Sequence, residues 1–252
     1  MNIPDRLTGN LNRDAFAFTM KYLEKFFREQ DEERIDKYGQ VSRKTNSGFY
    51  IPSSLRQLDQ AFDILLQRHM IKTGSLFLDA GSGDGRIVAL AERKGLTAFG
   101  IESDRRLFEI STKNLLSLGC SGRIVHGDFL KDSAYEKIGI SFSAFPLIYN
   151  FVNSCNELAE KISKEGNDDV RFLLYDTSSI STHWEGLTLL DTMLLRDPEK
   201  IRQSQECQMQ EYSHNGRRTI ERKTAPQKIS LDLPLIIDYL HIYRKGTATF
   251  IS

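Results

Sequence analysis

The chain has 252 residues, enough for one large domain or one domain with an extension, and its 40% hydrophobic and 27% charged content is that of a globular protein. Lys plus Arg and Asp plus Glu both total 34, so the formal net charge is zero. That balance argues against a protein that coats nucleic acid and against membrane attachment through bulk charge.

Taken in chain order, the first predicted element is a charged helix over about Arg13 to Tyr38. Phe16, Met20, Leu23 and Phe27 make one apolar stripe on it, and the mixed-charge run from Arg28 to Arg34 reads as a solvated face. A polar joint follows from Ser42 to Gly48. Ser53 or Ser54 then serves as N-cap for a helix through Leu58, Phe62, Leu65 and Leu66. From here strands and helices alternate. Leu76 to Ala80, Leu96 to Glu102, Arg123 to His126, Leu147 to Tyr149 and Val170 to Tyr175 read as buried strands. Helices are expected over Ile87 to Arg93, Asp104 to Leu118 and Asn156 to Ile162, with Gly95, Gly119 and Gly166 closing them. Leu187 to Leu195 and Asp238 to Tyr243 make two more strands. Alternation of this kind predicts right-handed crossovers and an α/β fold around a seven-strand, mostly parallel sheet with helices on both faces. Between the last two strands, over about 196–235, a polar hairpin insertion centred on Asn215-Gly216 departs from the pattern. The organisation expected is an N-terminal helical extension, 1–48, followed by one domain, 49–252.

Cys120, Cys155 and Cys207 are odd in number and without C-x-x-C spacing, so neither a disulfide framework nor a zinc site is expected. His69, His126, His214 and His241 show no metal spacing either. Residues 1–10 lack the apolar core of a signal peptide and no apolar run spans a bilayer, which predicts a cytoplasmic protein without a membrane partner.

The most informative segment is Leu78-Asp79-Ala80-Gly81-Ser82-Gly83-Asp84-Gly85-Arg86, a strand, a glycine loop and a helix. The glycines suit a tight turn with a ligand against bare backbone, at a strand end where open α/β sheets bind ligands. The spacing is G-x-G-x-G. The third glycine of a G-x-G-x-x-G dinucleotide fingerprint would fall on Arg86, which weakens a pyrophosphate reading. Asp79, two residues before Gly81, suits a cationic ligand such as S-adenosylmethionine, whose aminoacyl end carries an ammonium and a sulfonium. Glu102 ends the second strand, placed to accept from both ribose hydroxyls, a feature that fits NAD as well. Asp128 ends the third strand, placed to accept from an adenine amino group or to cap the next helix, and Phe129 either covers the adenine ring or joins the core. The cofactor-binding set is therefore Asp79, Gly81, Ser82, Gly83, Gly85, Glu102, Asp128 and Phe129.

On these residues the sequence resembles the class I, Rossmann-like S-adenosylmethionine-dependent methyltransferases, over about Phe49 to Asp176. It is most similar to the non-SET, seven-strand protein lysine methyltransferases. The points of likeness are Phe49-Tyr50-Ile51-Pro52, the stretch from Asp79 to Val88, Asn150-Phe151-Val152-Asn153 and His183-Trp184. The resemblance implies that the segment of Tyr50 to Pro52 folds over the cofactor and that the segment of Asn150 to Asn153 faces the methyl group. Tyr50 and Asn150 are thus the candidate catalytic residues, Tyr50 balanced against packing and Asn150 against a satisfied strand-end amide. Asn153 reads as an N-cap, and His183 and Trp184 as candidate substrate contacts. A protein substrate is implied. The basic hairpin with Arg217, Arg218, Arg222 and Lys223 keeps an RNA acceptor open, although neutral net charge and the lack of an Asn-Pro-Pro-aromatic motif disfavour it. A small-molecule acceptor and a non-catalytic cofactor-binding module remain alternatives.

Overall fold

The computed structural model describes residues 13–32, 43–45, 48–195 and 238–246. The predicted hairpin insertion, with Cys207, His214 and its basic residues, lies outside them, as do residues 33–38 of the first predicted helix.

Seven strands form one sheet: β3 (Leu76–Ala80), β4 (Thr97–Glu102), β5 (Arg123–His126), β6 (Leu147–Phe151), β7 (Arg171–Asp176), β8 (Leu187–Leu195) and β9 (Asp238–Lys245). Their spatial order is β5-β4-β3-β6-β7-β9-β8. The pairs from β5 to β7 are parallel, and β9 pairs antiparallel with both β7 and β8. The order reverses direction between β3 and β6, which places a crevice at their carboxyl ends. Parallel strands are covered on both faces, so neighbouring residues go to opposite cores. Phe77, Leu147, Tyr149 and Leu173 face one cluster with α2 (Leu55–Gln67), α3 (Arg86–Arg93) and α4 (Arg105–Ser117). Leu78, Ile148, Phe172 and Leu174 face the other with α5 (Asp132–Ile138) and α6 (Cys155–Glu165).

The N-terminal helix α1 (Arg13–Glu32) packs against the sheet domain. Met20, Leu23 and Phe27, three residues of its predicted stripe, are buried in the first cluster. Its charged side divides. Lys25–Glu29 and Arg28–Glu32 are exposed i,i+4 pairs, as expected of a solvated face. Glu24, Gln30 and Asp31 instead bond to Arg56, Asn114 and Arg86, which corrects the reading of the whole run as solvated.

Short elements complete the described fold. The polar joint contains a small hairpin, β1 (Arg43–Thr45) with β2 (Gly48–Tyr50), which pairs Arg43 with Tyr50. Three-residue strands are too short to show alternation. The seven-residue α5 is likewise too short to show a helical period. Ser54 is the N-cap of α2 but makes no side-chain cap bond, while Ser53 turns inward to the Tyr149 hydroxyl, 2.8 Å away.

Candidate functional site

A cavity of about 360 Å³ opens at the reversal point between β3 and β6, within the size range of small-molecule sites. One wall is the end of β3 and the glycine loop, Asp79 to Asp84, with Arg86 and Ile87 at the start of α3. The other is Tyr149 and the turn Phe151-Val152-Asn153 after β6. Tyr50, Ile51, Pro52 and Ser53 lie across the opening.

The loop is held by backbone bonds to the next strand. Gly81 N–H and Ser82 N–H both donate to the Ile101 carbonyl at 3.0 Å, and Gly85 N–H donates to the Ser82 carbonyl at 2.9 Å. Gly83 has φ +54°, and a Cβ there would stand 2.4 Å from Tyr50 Cε2. Only glycine allows the ring to lie on the loop. Gly100 answers the loop from β4, where a Cβ would stand 2.7 Å from that of Ser82.

Three buried acids gather here. Asp79 is 2% exposed, and its Oδ2 has no hydrogen-bond partner among the described residues. Burial, then the charges of Glu102 and Asp84, push its carboxyl well above the usual carboxylate range. Glu102 accepts from Gly83 N–H at 2.7 Å and from Asp104 N–H at 2.8 Å. Burial raises its pKa, and those two bonds partly oppose the rise. Asp84 is fully buried and bonds to the Arg86 guanidinium through both oxygens, at 3.0 and 2.8 Å. Burial works against the guanidinium's charge, but Asp84 and Asp31 outweigh it and raise its pKa. The Tyr50 hydroxyl is buried, and burial with the neighbouring Asp84 charge holds its proton on far above the usual tyrosine value.

The predicted residues separate into two groups. Asp79, Gly81, Ser82, Gly83 and Tyr50 line the cavity together. Gly85 lies just behind it, in the left-handed region at φ +85°, as N-cap of α3. Glu102 reaches the loop through Gly83 without lining the cavity. Phe129 flanks the loop, its ring 3.8 Å from a Cβ built at Gly81. Asp128 beside it is exposed, and its Oδ1 accepts from Leu130 N–H at 2.9 Å, ahead of α5. Asn150 is buried one residue behind the mouth. Its amide donates to the Ala80 carbonyl at 2.7 Å, and its Oδ1 has no partner among the described residues. That bond ties the ends of β3 and β6 together.

Two expectations change. Ser154, not Asn153, is the N-cap of α6, in a left-handed conformation at φ +49°, and Asn153 lines the cavity. Trp184 packs on Phe172 and Tyr243 and donates to Asn156 at 2.9 Å, while His183 is exposed and neither lines the cavity. Tyr149, Ser53, Asp84 and Arg86 line the cavity without a site role assigned from sequence. Asp84 and Arg86 stood inside the glycine motif, so their position was visible. Their pairing was not.

The residues present fit S-adenosylmethionine. An acceptor oxygen left unpartnered at Asp79, beside two further buried acids and with Arg86 as the one cation among the described lining residues, suits a cationic ligand. Ser82 Oγ is also buried without a partner among the described residues. Among the described residues no cluster of His, Cys, Asp or Glu could hold a metal ion, and no helix is long and apolar enough to cross a membrane.

A family model described as methionine biosynthesis protein MetW matches residues 61–117. The chain is 31% identical over 126 residues to the ATP synthase c-subunit lysine N-methyltransferase of Homo sapiens, a match that covers 49% of this chain and 49% of that protein. The chain thus spans about half the length of the curated relative it matches. The structure is similar to a mutant of MtNAS, with a TM-score of 0.50, 11% identity and coverage of 93% of this chain and 77% of that one. It is also similar to an RNA methyltransferase from Salinibacter ruber in complex with S-adenosyl-L-homocysteine. There the TM-score is 0.42 and the identity 20%, over 56% of this chain and 86% of that one. The fold is a seven-strand, mostly parallel Rossmann-like sheet with helices on both faces.

Proposed function

We propose that this chain binds S-adenosylmethionine at the β3–β6 crevice and methylates the side-chain nitrogen of a lysine on a protein. The observation that carries the reading is the buried Asp79 carboxyl, whose Oδ2 has no hydrogen-bond partner among the described residues, in a cavity walled by a glycine loop. The likeness to a lysine N-methyltransferase supports the choice of acceptor.

When bound, S-adenosylmethionine supplies an electrophilic methyl group on a sulfonium. The protein's part is to bind, orient and exclude water. Asp79 is placed to accept from the ammonium of the aminoacyl end. Glu102 holds the loop through Gly83, and the proposal gives it the ribose hydroxyls as partners when the cofactor is bound. Asp128 and Phe129, at the end of β5, are placed for the adenine. Tyr50 covers the glycine loop, and its hydroxyl keeps its proton, so it acts as a lid and donor, not as a base. On the acceptor side Ile51, Pro52, Phe151 and Val152 form an apolar rim. A lysine ammonium entering such a rim is desolvated, which lowers its pKa and favours the neutral, nucleophilic amine. Asn150 positions that rim by joining β6 to β3.

The test is incubation of the purified protein with methyl-tritiated S-adenosylmethionine and host lysate, the sample then being split between protease and ribonuclease. An Asp79→Ala, Glu102→Ala double variant is the blank. Label removed by protease alone, and recovered as methyl-lysine after acid hydrolysis, is expected. Label that survives protease overturns the lysine reading, and the ribonuclease arm then separates RNA from a small molecule.

A further inference from the structure

Arg86 poses a problem for a site that takes a cation. It lines the cavity, is 6% exposed, and carries a charge of the same sign as the sulfonium. Two carboxylates hold it. Asp84 grips it from the glycine loop, through Nε and Nη2. Asp31 grips it from α1, at 3.1 Å to Nη1 and 2.7 Å to Nη2. The ring of Phe27, one turn back on α1, lies under the guanidinium with its centroid 5.0 Å from Cζ. The same helix reaches the loop a second way. Gln30 donates to Asn114 at 2.9 Å, and Asn114 donates to the Asp84 carbonyl at 2.9 Å. Phe27, Gln30 and Asp31 of α1 therefore converge on Asp84 and Arg86.

We infer that α1 belongs to the cofactor site, with Asp31 as a positioning residue that brings a second carboxylate to Arg86 and holds its guanidinium back from the cationic ligand. The inference rests on the reading of the cavity as an S-adenosylmethionine site. With Asp84 alone, Arg86 forms a neutral pair. With Asp31 added, the cluster carries a net negative charge that joins Asp79 and Glu102 in favouring a cation. Buried between two acids and an aromatic face, the guanidinium is also fixed in direction, as a bidentate fork allows. The consequence is selective. S-adenosylmethionine carries one positive charge more than S-adenosylhomocysteine, which is a neutral thioether at sulfur. Asp31 therefore favours the methyl donor over its spent product, and loss of the sulfonium charge on transfer weakens the hold on the product.

The test is calorimetric titration of the full chain with each ligand separately, in wild type, Asp31→Asn, Asp31→Glu and Glu24→Gln, beside thermal denaturation of each. Asp31→Asn is expected to weaken S-adenosylmethionine binding by about tenfold and S-adenosylhomocysteine binding by less than about twofold. Asp31→Glu restores the ratio. Glu24→Gln breaks a different anchor of the same helix, the Arg56 pair, and leaves the ratio unchanged. Should Asp31→Asn not fold, Asp31→Ala removes the same charge and reads the same ratio. An equal loss for both ligands, or the same effect in Glu24→Gln, reduces α1 to a packing role and overturns the inference, as does an unchanged ratio in Asp31→Asn. Wild-type protein that binds neither ligand overturns the cofactor reading itself, and this inference with it.

Discussion

The wall made by β3, the glycine loop and the end of β4 is closed, acidic and held by backbone bonds, whereas the opposite wall, after β6, is open and apolar. On the first wall every residue from Ser82 to Arg86 is buried, and the loop is pinned by Ile101 and Glu102. On the second, Val152 is an exposed apolar residue, and the turn holds two non-glycine residues at positive φ, Val152 at +43° and Ser154 at +49°. A β-branched residue in that region is strained, and such strain gathers where a site demands it. The contrast separates two tasks. On the proposed reading, the methyl donor is met by a charged mould held by backbone bonds, and the acceptor by an apolar rim on a strained turn.

Four substitutions break or sharpen this contrast. Gly83→Ala strikes the rigid wall hardest, because its methyl meets the Tyr50 ring and its backbone is left-handed. A stability loss of about 3 kcal/mol is expected from denaturant unfolding, with cofactor binding lost in calorimetry. Binding within a few-fold of wild type refutes the close packing of Tyr50 on the loop.

Asp79→Asn keeps the shape and removes the charge. Cofactor affinity should fall roughly 30-fold, about 2 kcal/mol. The cofactor-free protein should become more stable, because the carboxyls of Asp79 and Glu102 titrate above their unfolded values. The folded protein then keeps protons that the unfolded chain has lost. Its stability is full below about pH 4 and falls as pH rises through the raised folded values. Thermal melts of the wild type across pH should show that fall, and Asp79→Asn should flatten it. A wild-type melt that rises over the same range contradicts the burial of an unpaired acid.

Val152→Asn tests the other wall. Asn accepts positive φ more readily than Val, so stability should rise by about 1 kcal/mol. Cofactor affinity should hold within about twofold while kcat/KM for the acceptor falls, since the rim loses an apolar group. A change in cofactor affinity instead would join the two walls into one. The smallest effect is expected from Trp184→Phe. Its indole bond to Asn156 and its packing on Tyr243 contribute to the second core, so a loss of about 1 kcal/mol is expected with acceptor KM within about twofold. A large rise in KM would return Trp184 to the substrate site.

Much of this protein is written locally. The run Leu76 to Arg86 shows its strand, loop and helix at once, because a short apolar strand, glycines at positions of positive φ and an amphipathic helix each leave a mark within a few residues. The acids Glu102 and Asp128 could be found because strand ends in a parallel sheet fall on one edge. Their different fates, one buried under the loop and one exposed at a turn, were not legible, since burial depends on neighbours far along the chain. Asn153 and Ser154 could not be told apart as caps, because cap choice followed a left-handed turn that no residue type announces.

The sequence by itself determined the alternating elements, the sheet they build and the glycine loop at the crevice, since periodicity, turn residues and strand-end acids act over short distances. Only the tertiary structure decided that Asp31 reaches Arg86 across 55 positions and that Tyr50 lies on Gly83. A mixed-charge helix face looks solvated until another element is packed against it. Which of its charges find partners is set by packing geometry and desolvation in three dimensions, not by spacing along the chain.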